Sequence, residues 1–291
     1  MNTKTAMHPN TMFAKVPFGR IHANVITLDE AMDAMATKVK SKTVGYVVTP
    51  NVDHVCVSET SDLMAEVYEN AFLSLPDGMP LIWMSKLRKR PLPEKVSGSD
   101  VIWPLLRRCA VEGFSTYFFG ASKETSAIAI EKIRAELPTL KVVGASSPMY
   151  SLDEPGSELL ASLEEIRSLR PDVVIVAMGN PKQEHFLLRQ QLVYGPGFAI
   201  GLGASLDFIA GTVSRAPTWM SDAGVEWLYR LTKEPKRLWH RYLVQDRAIV
   251  GIFLRDRRSD RKNPALGSTN GWAAGSAVGS VAPAHEINVQ L

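Results

Sequence analysis

The stretch PDVVIVAMGNPKQEHF (171–186) decides the fold. Its first part, 171–177, is an apolar run rich in valine and isoleucine, which predicts a strand buried on both faces of a sheet. Gly179 and Pro181 favour a turn where that strand ends. A turn alone does not need the long polar side chains of residues 182–185, which can donate, accept and titrate. The stretch therefore predicts a buried strand with a candidate site at its end.

The same order of strand and helix recurs along most of the chain. Apolar runs that predict strands lie at 19–28, 43–51, 73–78, 115–122, 141–146, 172–180 and 197–205. Because these runs are apolar throughout and alternate with helical patterns, they predict a parallel sheet covered on both faces. We predict an α/β fold: a Rossmann-like doubly wound, mainly parallel sheet with a basic C-terminal helical appendage.

Composition divides the chain into four segments. We predict a flexible N-terminal tail at 1–16, an α/β catalytic domain at 17–212, a basic amphipathic helical appendage at 213–260 and a disordered tail at 261–291. The last segment is rich in glycine, alanine and serine, a composition that buries too little apolar surface to fold.

Positive charge is concentrated in one part of the chain. The net charge is +3, but residues 230–262 contain eleven lysines and arginines against four acidic residues. Aromatic residues lie among these cations, and the apolar run 249–254 is suited to shallow membrane insertion. Since no signal peptide and no apolar stretch of about 18 residues is present, we predict a cytoplasmic chain that docks on an anionic surface.

Polar and small residues gather where the predicted strands end. They are Thr49, Asn51, Asp77, Gly120, Ser122, Gly179, Pro181, Lys182, Gln183, Glu184, Gly203 and Asp207. Because ligands of open parallel sheets bind at the carboxyl ends of the strands, these residues predict one site.

Missing motifs narrow the kind of site. The chain contains no GxGxxG, no Walker motif, no GxSxG and no DxD triplet, so we expect neither a dinucleotide, nor a cofactor, nor a metal. Cys56 and Cys109 lack ligand spacing and are predicted to be buried thiols of a reducing compartment.

Seven motifs in order resemble the WecG/TagA/CpsF glycosyltransferases, glycosyltransferase family 26. They are TPNVDHV (49–55), LPDGMPL (75–81), KVSGSD (95–100), YFFGAS (117–122), MGNPKQE (178–184), GLGASLDFIAG (201–211) and RAPTWMSDAGVEWLYRLTKEPKRLWHRYL (215–243). The resemblance implies an inverting, metal-independent enzyme that moves a sugar from a UDP-sugar to a polyprenyl-diphosphate-linked acceptor in cell-surface or exopolysaccharide synthesis. It also implies a peripheral position on the inner face of the bacterial plasma membrane. N-acetylmannosamine, its uronic acid and hexoses are all open as donor sugars.

The resemblance assigns roles to several residues. Asp77 matches the acidic position of a catalytic base, although its turn alone is equally typical of a β-turn aspartate. Thr49 and Asn51 are expected to bind the donor sugar or the acceptor, or to cap the Pro50 turn. Lys95 stands where the family pattern has an arginine, which keeps the charge but loses the bidentate fork.

Two segments of the sequence are predicted to supply the groups that bind phosphate and the donor. Pro181 is suited to the first turn of a helix whose N-terminus attracts anions; Lys182 adds charge, and Gln183 and Glu184 can bind sugar or uracil. A capping role for Glu184 stays open. In the C-terminal signature, Arg215 is predicted to bind substrate, and a further set is predicted to neutralise the leaving diphosphate: Arg230, Arg237 and Arg241. A solvated basic face is the alternative interpretation of that set.

A second class of function fits part of the sequence. A non-catalytic Rossmann-like module could use the basic helices to dock on an anionic membrane or on nucleic acid. Such a module has no need of Asp77 or of the residues 181–184, so we favour the enzyme and do not expect nucleic acid as a partner. A homo-oligomer is left open.

Overall fold

The computed structural model describes residues 13–151, 156–217, 220, 225–233, 235–240 and 246–262. Its centre is a six-stranded sheet in the order β4-β3-β8-β7-β5-β6, and every pair of neighbours is parallel. The strands are β3 (Gly45–Val48), β4 (Leu73–Ser74), β5 (Ser115–Gly120), β6 (Lys141–Ser146), β7 (Val173–Ala177) and β8 (Phe198–Gly201). The predicted doubly wound α/β fold is confirmed.

Helices connect these strands and flank the sheet. The first seven are α1 (Leu28–Lys40), α2 (Val52–Ser58), α3 (Asp62–Asn70), α4 (Met79–Leu87), α5 (Gly98–Glu112), α6 (Lys123–Glu136) and α7 (Ser157–Leu169). The others are α8 (Lys182–Arg189), α9 (Gln191–Tyr194), α10 (Ser205–Ala210), α11 (Glu226–Lys233), α12 (Pro235–His240) and α13 (Ala248–Lys262). Within the described ranges, no helix has both the length and the apolarity needed to cross a bilayer.

The sheet divides two apolar layers, and β7 shows why its strands are apolar throughout. Val173, Ile175 and Ala177 point into one layer. Val174 and Val176 point into the other. Successive side chains of a strand face opposite sides, so a strand covered on both faces buries every residue.

The first predicted strand, 19–28, belongs to a separate hairpin. Only Ile21–Asn24 is extended (β2), and it pairs antiparallel with β1 (Lys15–Phe18). Asn24 Oδ1 accepts a hydrogen bond of 2.7 Å from the backbone N–H of Ser74. The hairpin thus covers β4, the edge strand of the main sheet, and protects its unpaired backbone groups.

The last helix, α13, is tied to the body of the protein by buried ion pairs. Arg88, whose side chain is 1% exposed, contacts Asp256 at 3.2 Å and Asp260 at 2.7 Å. Ile252 is buried, and Ile249 and Phe253 pack against the same apolar layer. Three side chains of the run 249–254 thus pack inward, whereas Val250 and Leu254 are exposed, and shallow membrane insertion of the run stays a prediction. The proposed segment boundary at 212 stays a prediction.

We expect Asp260→Asn to lower the free energy of unfolding by about 1.5–3 kcal/mol, the range for hydrogen bonds to charged groups. Asp260 holds Arg88 through both carboxylate oxygens and also contacts Arg90, and both arginines are buried. The control is Glu164→Gln, which breaks the exposed pair with Arg167 and should cost below about 0.5 kcal/mol. Urea denaturation measures the free energy of unfolding of both variants. Equal losses would contradict a structural role for the ion pairs between Arg88 and α13.

Candidate active site

A cavity of about 620 Å³ opens at the carboxyl edge of the parallel sheet. The loops after all six strands line it, with Thr49 and Asn51 after β3, Asp77 after β4, Gly120 closing β5, Pro148 after β6, Gly179 after β7 and Gly203 after β8. Parallel strands end at the same edge, so residues distant in sequence meet there.

Most of the predicted site residues line this cavity. They are Thr49, Asn51, Asp77, Gly120, Gly179, Lys182, Gln183, Glu184, Gly203 and Asp207. Four other predicted residues lie beside it without lining it: Lys95, Ser122, Pro181 and Arg215. The side chains of Arg230 in α11 and Arg237 in α12, and all of Arg241, lie outside the described residues.

Two of the residues beside the cavity shape the backbone. Ser122 is the N-cap of α6, and its hydroxyl accepts a hydrogen bond of 3.1 Å from the N–H of Thr125. Pro181 is the residue immediately before α8, one position earlier than the predicted first turn, and follows a cis peptide bond. Both residues thus have a role in the local backbone conformation at the start of a helix. A direct contact of either with substrate stays a prediction.

Lys95 and Arg215 both reach the carboxylate of Asp100. Lys95 Nζ lies 2.8 Å from Asp100 Oδ2, and Arg215 contacts the other carboxylate oxygen. Burial opposes ionisation of Asp100, but the hydrogen bonds from Lys95 and Ser97 outweigh it and hold the pKa of this carboxyl below its usual value. Since Ser97 itself lines the cavity, these two cations lie near its wall.

Asp77 lies in a loop that is fixed by its backbone. The Asp77 N–H donates to the carbonyl of Pro50 at 2.9 Å, and the carbonyl of Pro76 accepts from Val96 at 2.8 Å. The next residue, Gly78, has φ of 106°, a conformation that favours glycine. The loop therefore holds the backbone of Asp77, a residue that lines the cavity, in a defined place before α4 begins.

Thr49 and Asn51 have structural contacts as well as a place in the cavity wall. Thr49 Oγ1 donates to the carbonyl of Gly201 at 3.3 Å. Asn51 is the N-cap of α2, with Oδ1 accepting from the N–H of His54 at 3.3 Å. The predicted cap at this turn is confirmed for Asn51, and substrate binding by either side chain stays a prediction.

The innermost part of the cavity is a buried polar network. Gln183 Oε1 accepts from the N–H of Gly203 at 2.8 Å, and Gln183 Nε2 donates to Glu184 Oε1 at 3.3 Å. His54 Nε2 lies 3.6 Å from the same Glu184 oxygen. Because Glu184 contacts these side chains, capping of α8 does not account for its position.

Sequence reasoning missed His54, Asp53 and Asn180. Asn180 Nδ2 donates to Asp53 Oδ2 at 2.9 Å, which ties the loop after β7 to the first turn of α2. Asp53 and His54 are both buried, within the motif TPNVDHV. An aspartate and a histidine placed directly after a predicted strand end, in the motif TPNVDHV, were the sequence signal that could have identified Asp53 and His54.

Three atoms of this network have no hydrogen-bond partner within the described part of the chain: His54 Nδ1, Asn180 Oδ1 and Glu184 Oε2. Buried polar atoms are nearly always satisfied, so these atoms require water or ligand groups. The neighbouring Tyr68 is fully buried, and burial raises its pKa, with the carboxylates of Glu184 and Asp77 adding to the shift. The innermost wall is thus rich in acceptors and suits a ligand with several hydroxyl groups.

The described cavity wall is negatively charged. Among its residues in that part of the chain, four are acidic (Asp77, Glu184, Asp207 and Glu226), one is a lysine (Lys182) and none is an arginine. No group of three potential metal ligands occurs among the described residues. An anionic ligand therefore needs more positive charge than these wall residues supply.

We expect Gly201→Ala to reduce glycosyl transfer, the activity that the sequence resemblance implies, far more than stability. An added Cβ would overlap both the amide and Cγ of the buried Gln183 side chain, which must therefore move. The loss of its hydrogen bond to Gly203 should cost about 1 kcal/mol of stability, whereas its displacement should lower the transfer rate about 10²-fold. Thermal melts and transfer assays measure these effects. Gly156→Ala, where no heavy atom lies within 4 Å, is the control.

The comparisons with known proteins agree with this architecture. The family model "Glycosyl transferase WecG/TagA/CpsF family" matches residues 16–263. An N-acetylglucosaminyldiphosphoundecaprenol N-acetyl-beta-D-mannosaminyltransferase of Bacillus spizizenii is 30% identical over 214 residues, which cover 74% of this chain and 80% of that protein. The protein of the same name in Bacillus subtilis is 35% identical over 178 residues, 61% of this chain and 67% of that protein. Fold, cavity and match together show that the chain belongs to the WecG/TagA/CpsF family of glycosyltransferases.

Proposed function

We propose that this glycosyltransferase moves an N-acetylmannosamine-type sugar or a hexose, with inversion, from a UDP-sugar to a polyprenyl-diphosphate-linked saccharide. The observation that carries the proposal is the convergence of ten predicted site residues on one cavity at the sheet edge. The names of the two relatives support the acceptor, since both act on an N-acetylglucosaminyl-diphosphoundecaprenol. The product would serve cell-surface or exopolysaccharide synthesis.

Asp77 is the proposed general base. Its carboxylate takes the proton from the acceptor hydroxyl, the hydroxyl oxygen forms a bond to the anomeric carbon, and the bond from that carbon to the UDP oxygen breaks. Attack from the face opposite UDP inverts the anomeric configuration. The fixed backbone of the Asp77 loop supports this role, since a base must be held within hydrogen-bond reach of the proton.

The donor sugar is proposed to lie on the buried polar network. Glu184 Oε2 and Asn180 Oδ1 are acceptors without protein partners in the described chain, and sugar hydroxyls are donors that would satisfy them. Gln183 and His54 hold the Glu184 carboxylate in place. The diphosphate then lies towards Lys182 and the N-terminus of α8, where the helix dipole favours negative charge.

Arginines are proposed to neutralise the leaving UDP without a metal or other cofactor. Diphosphate and an acidic wall repel each other, so cations must come from beyond the described lining. Arg230, Arg237 and Arg241 belong to a segment whose Glu226 already lines the cavity. Lys95 and Arg215, near the wall on Asp100, would add to the positive potential.

The basic C-terminal segment is also proposed to hold the enzyme at the inner face of the plasma membrane, where its lipid acceptor lies. Exposed Trp239 and the arginines on the outer side of α13 suit an interface with anionic lipid. Asp256 and Asp260 are turned inward onto Arg88, which leaves the outer side basic. A module that only docks would share this surface but would have no use for the cavity.

Asp77→Asn should lower turnover about 10²–10⁴-fold, the usual effect of losing a general base. The amide keeps the size of the carboxylate, so UDP affinity and thermal stability should stay near those of the wild type. Steady-state assays of UDP release with an N-acetylglucosaminyl-diphosphoprenyl acceptor measure turnover, and calorimetry measures UDP binding. Turnover within about threefold of wild type would remove Asp77 from the proposed mechanism.

Transfer should persist in excess EDTA, because the chain has no DxD triplet and the proposed counter-ions are arginines. The assay screens UDP-sugars, with product mass as the readout and with the enzyme treated by EDTA before and during the reaction. Activity that disappears with EDTA and returns with Mg²⁺ or Mn²⁺ would refute metal independence. No transfer from any UDP-sugar to the lipid-linked acceptor would refute the proposed function itself.

A further inference from the structure

An apolar stripe runs along the outer face of α4. It consists of Met79, Trp83 and Leu87, which recur every four residues and so lie on one side of the helix. Met79 is half-buried and also packs against the inner apolar layer. Trp83 is 43% exposed and Leu87 60% exposed. We call these three residues the α4 stripe.

The α4 stripe cannot turn inward, because the opposite face of the helix already packs against the protein core. Leu81, Ile82 and Met84 are buried in the apolar layer on that side. Arg88, directly after the helix, is fixed by Asp256 and Asp260 of α13. The apolar surface therefore stays on the outside of a helix that is held in place.

The α4 stripe begins at the candidate base. Gly78 is the N-cap of α4, and Asp77 precedes it and lines the cavity. At a rise of 1.5 Å per residue, the stripe extends for about 12 Å from Met79 to Leu87. Since α4 follows the edge strand β4, the stripe leads from the cavity to the outer surface of the protein.

We propose that the α4 stripe binds the first isoprenoid units of the lipid-linked acceptor. This inference rests on the proposed function, in which an acceptor hydroxyl reacts at Asp77 while its lipid chain must leave the cavity. An isoprenoid chain in contact with Trp83 and Leu87 would be withdrawn from water together with them.

Two acceptors test the proposal in solution, without vesicles or detergent: N-acetylglucosaminyl diphosphate carrying a farnesyl chain, and the same compound carrying a methyl group. The test variant is Trp83→Ser/Leu87→Ser, with Leu87→Ser alone as the milder change. The matched control is Val111→Ser/Leu192→Ser, which removes two side chains that are 85% and 92% exposed on α5 and α9.

The wild type should have a KM for the farnesyl acceptor about tenfold or more below that for the methyl acceptor, the effect of burying roughly 55 Å² of apolar surface. The test variant should lose most of that ratio while its kcat/KM for the methyl acceptor stays within about twofold. The control should keep the ratio. A ratio retained in the test variant, or an equal loss with both acceptors, would overturn the proposal.

Other occupants of the α4 stripe give different results. An effect that appears only when anionic vesicles are added would assign the stripe to the bilayer, and an effect that depends on protein concentration would assign it to a second copy of the chain. Either result would overturn the proposal.

A binding experiment distinguishes a failure of this inference from a failure of the proposed function. Farnesyl diphosphate is titrated into wild type and test variant by calorimetry, with no donor present. If neither acceptor is glycosylated by the wild type, the proposed function fails, and the titration alone decides the stripe. A Kd about tenfold weaker in the test variant supports the proposal. An unchanged Kd, or no binding to the wild type, overturns it.

Discussion

The backbone ladder of β8 is the interaction on which the site depends. β8 pairs in parallel with β3 on one side and β7 on the other, and it ends at Gly201. Because Gly201 has no Cβ, the Gln183 amide can lie against the strand and accept the Gly203 N–H. The ladder thereby sets the distance between the loops after three strands. A small shift in its register would move Gln183 and Glu184 away from the loop after β3.

The fold was predictable because burial on both faces leaves a clear pattern in sequence. All five residues of β7 are apolar and buried, and the same composition marks β8. Once the strands are parallel, their connectivity brings the strand ends to one edge, whatever the details of packing. This is why Asp77 and Lys182 could be placed in one site without any knowledge of side-chain contacts.

What the sequence did not reveal depends on contacts between distant residues. The hairpin pairs β1 with β2, but its apolar run is equally compatible with a strand of the main sheet. The choice of Asp100 as the partner of Lys95 and Arg215 is set by the path of two loops, which residue types do not encode. The burial of His54 beside Glu184 likewise follows from how α2 packs against α8.

The ion pairs of Arg88 change how the basic segment can act. Ala216 is buried before the segment, and Asp256 and Asp260 are fixed after it, so the chain from 217 to 245 is held at both ends. If arginines of this segment neutralise a diphosphate in the cavity, as proposed above, they would do so at a high effective concentration. In that proposal, their encounter with a diphosphate already bound in the cavity would cost little additional entropy. Breaking the ion pairs of Arg88 would release one end of this segment without altering any residue that lines the cavity.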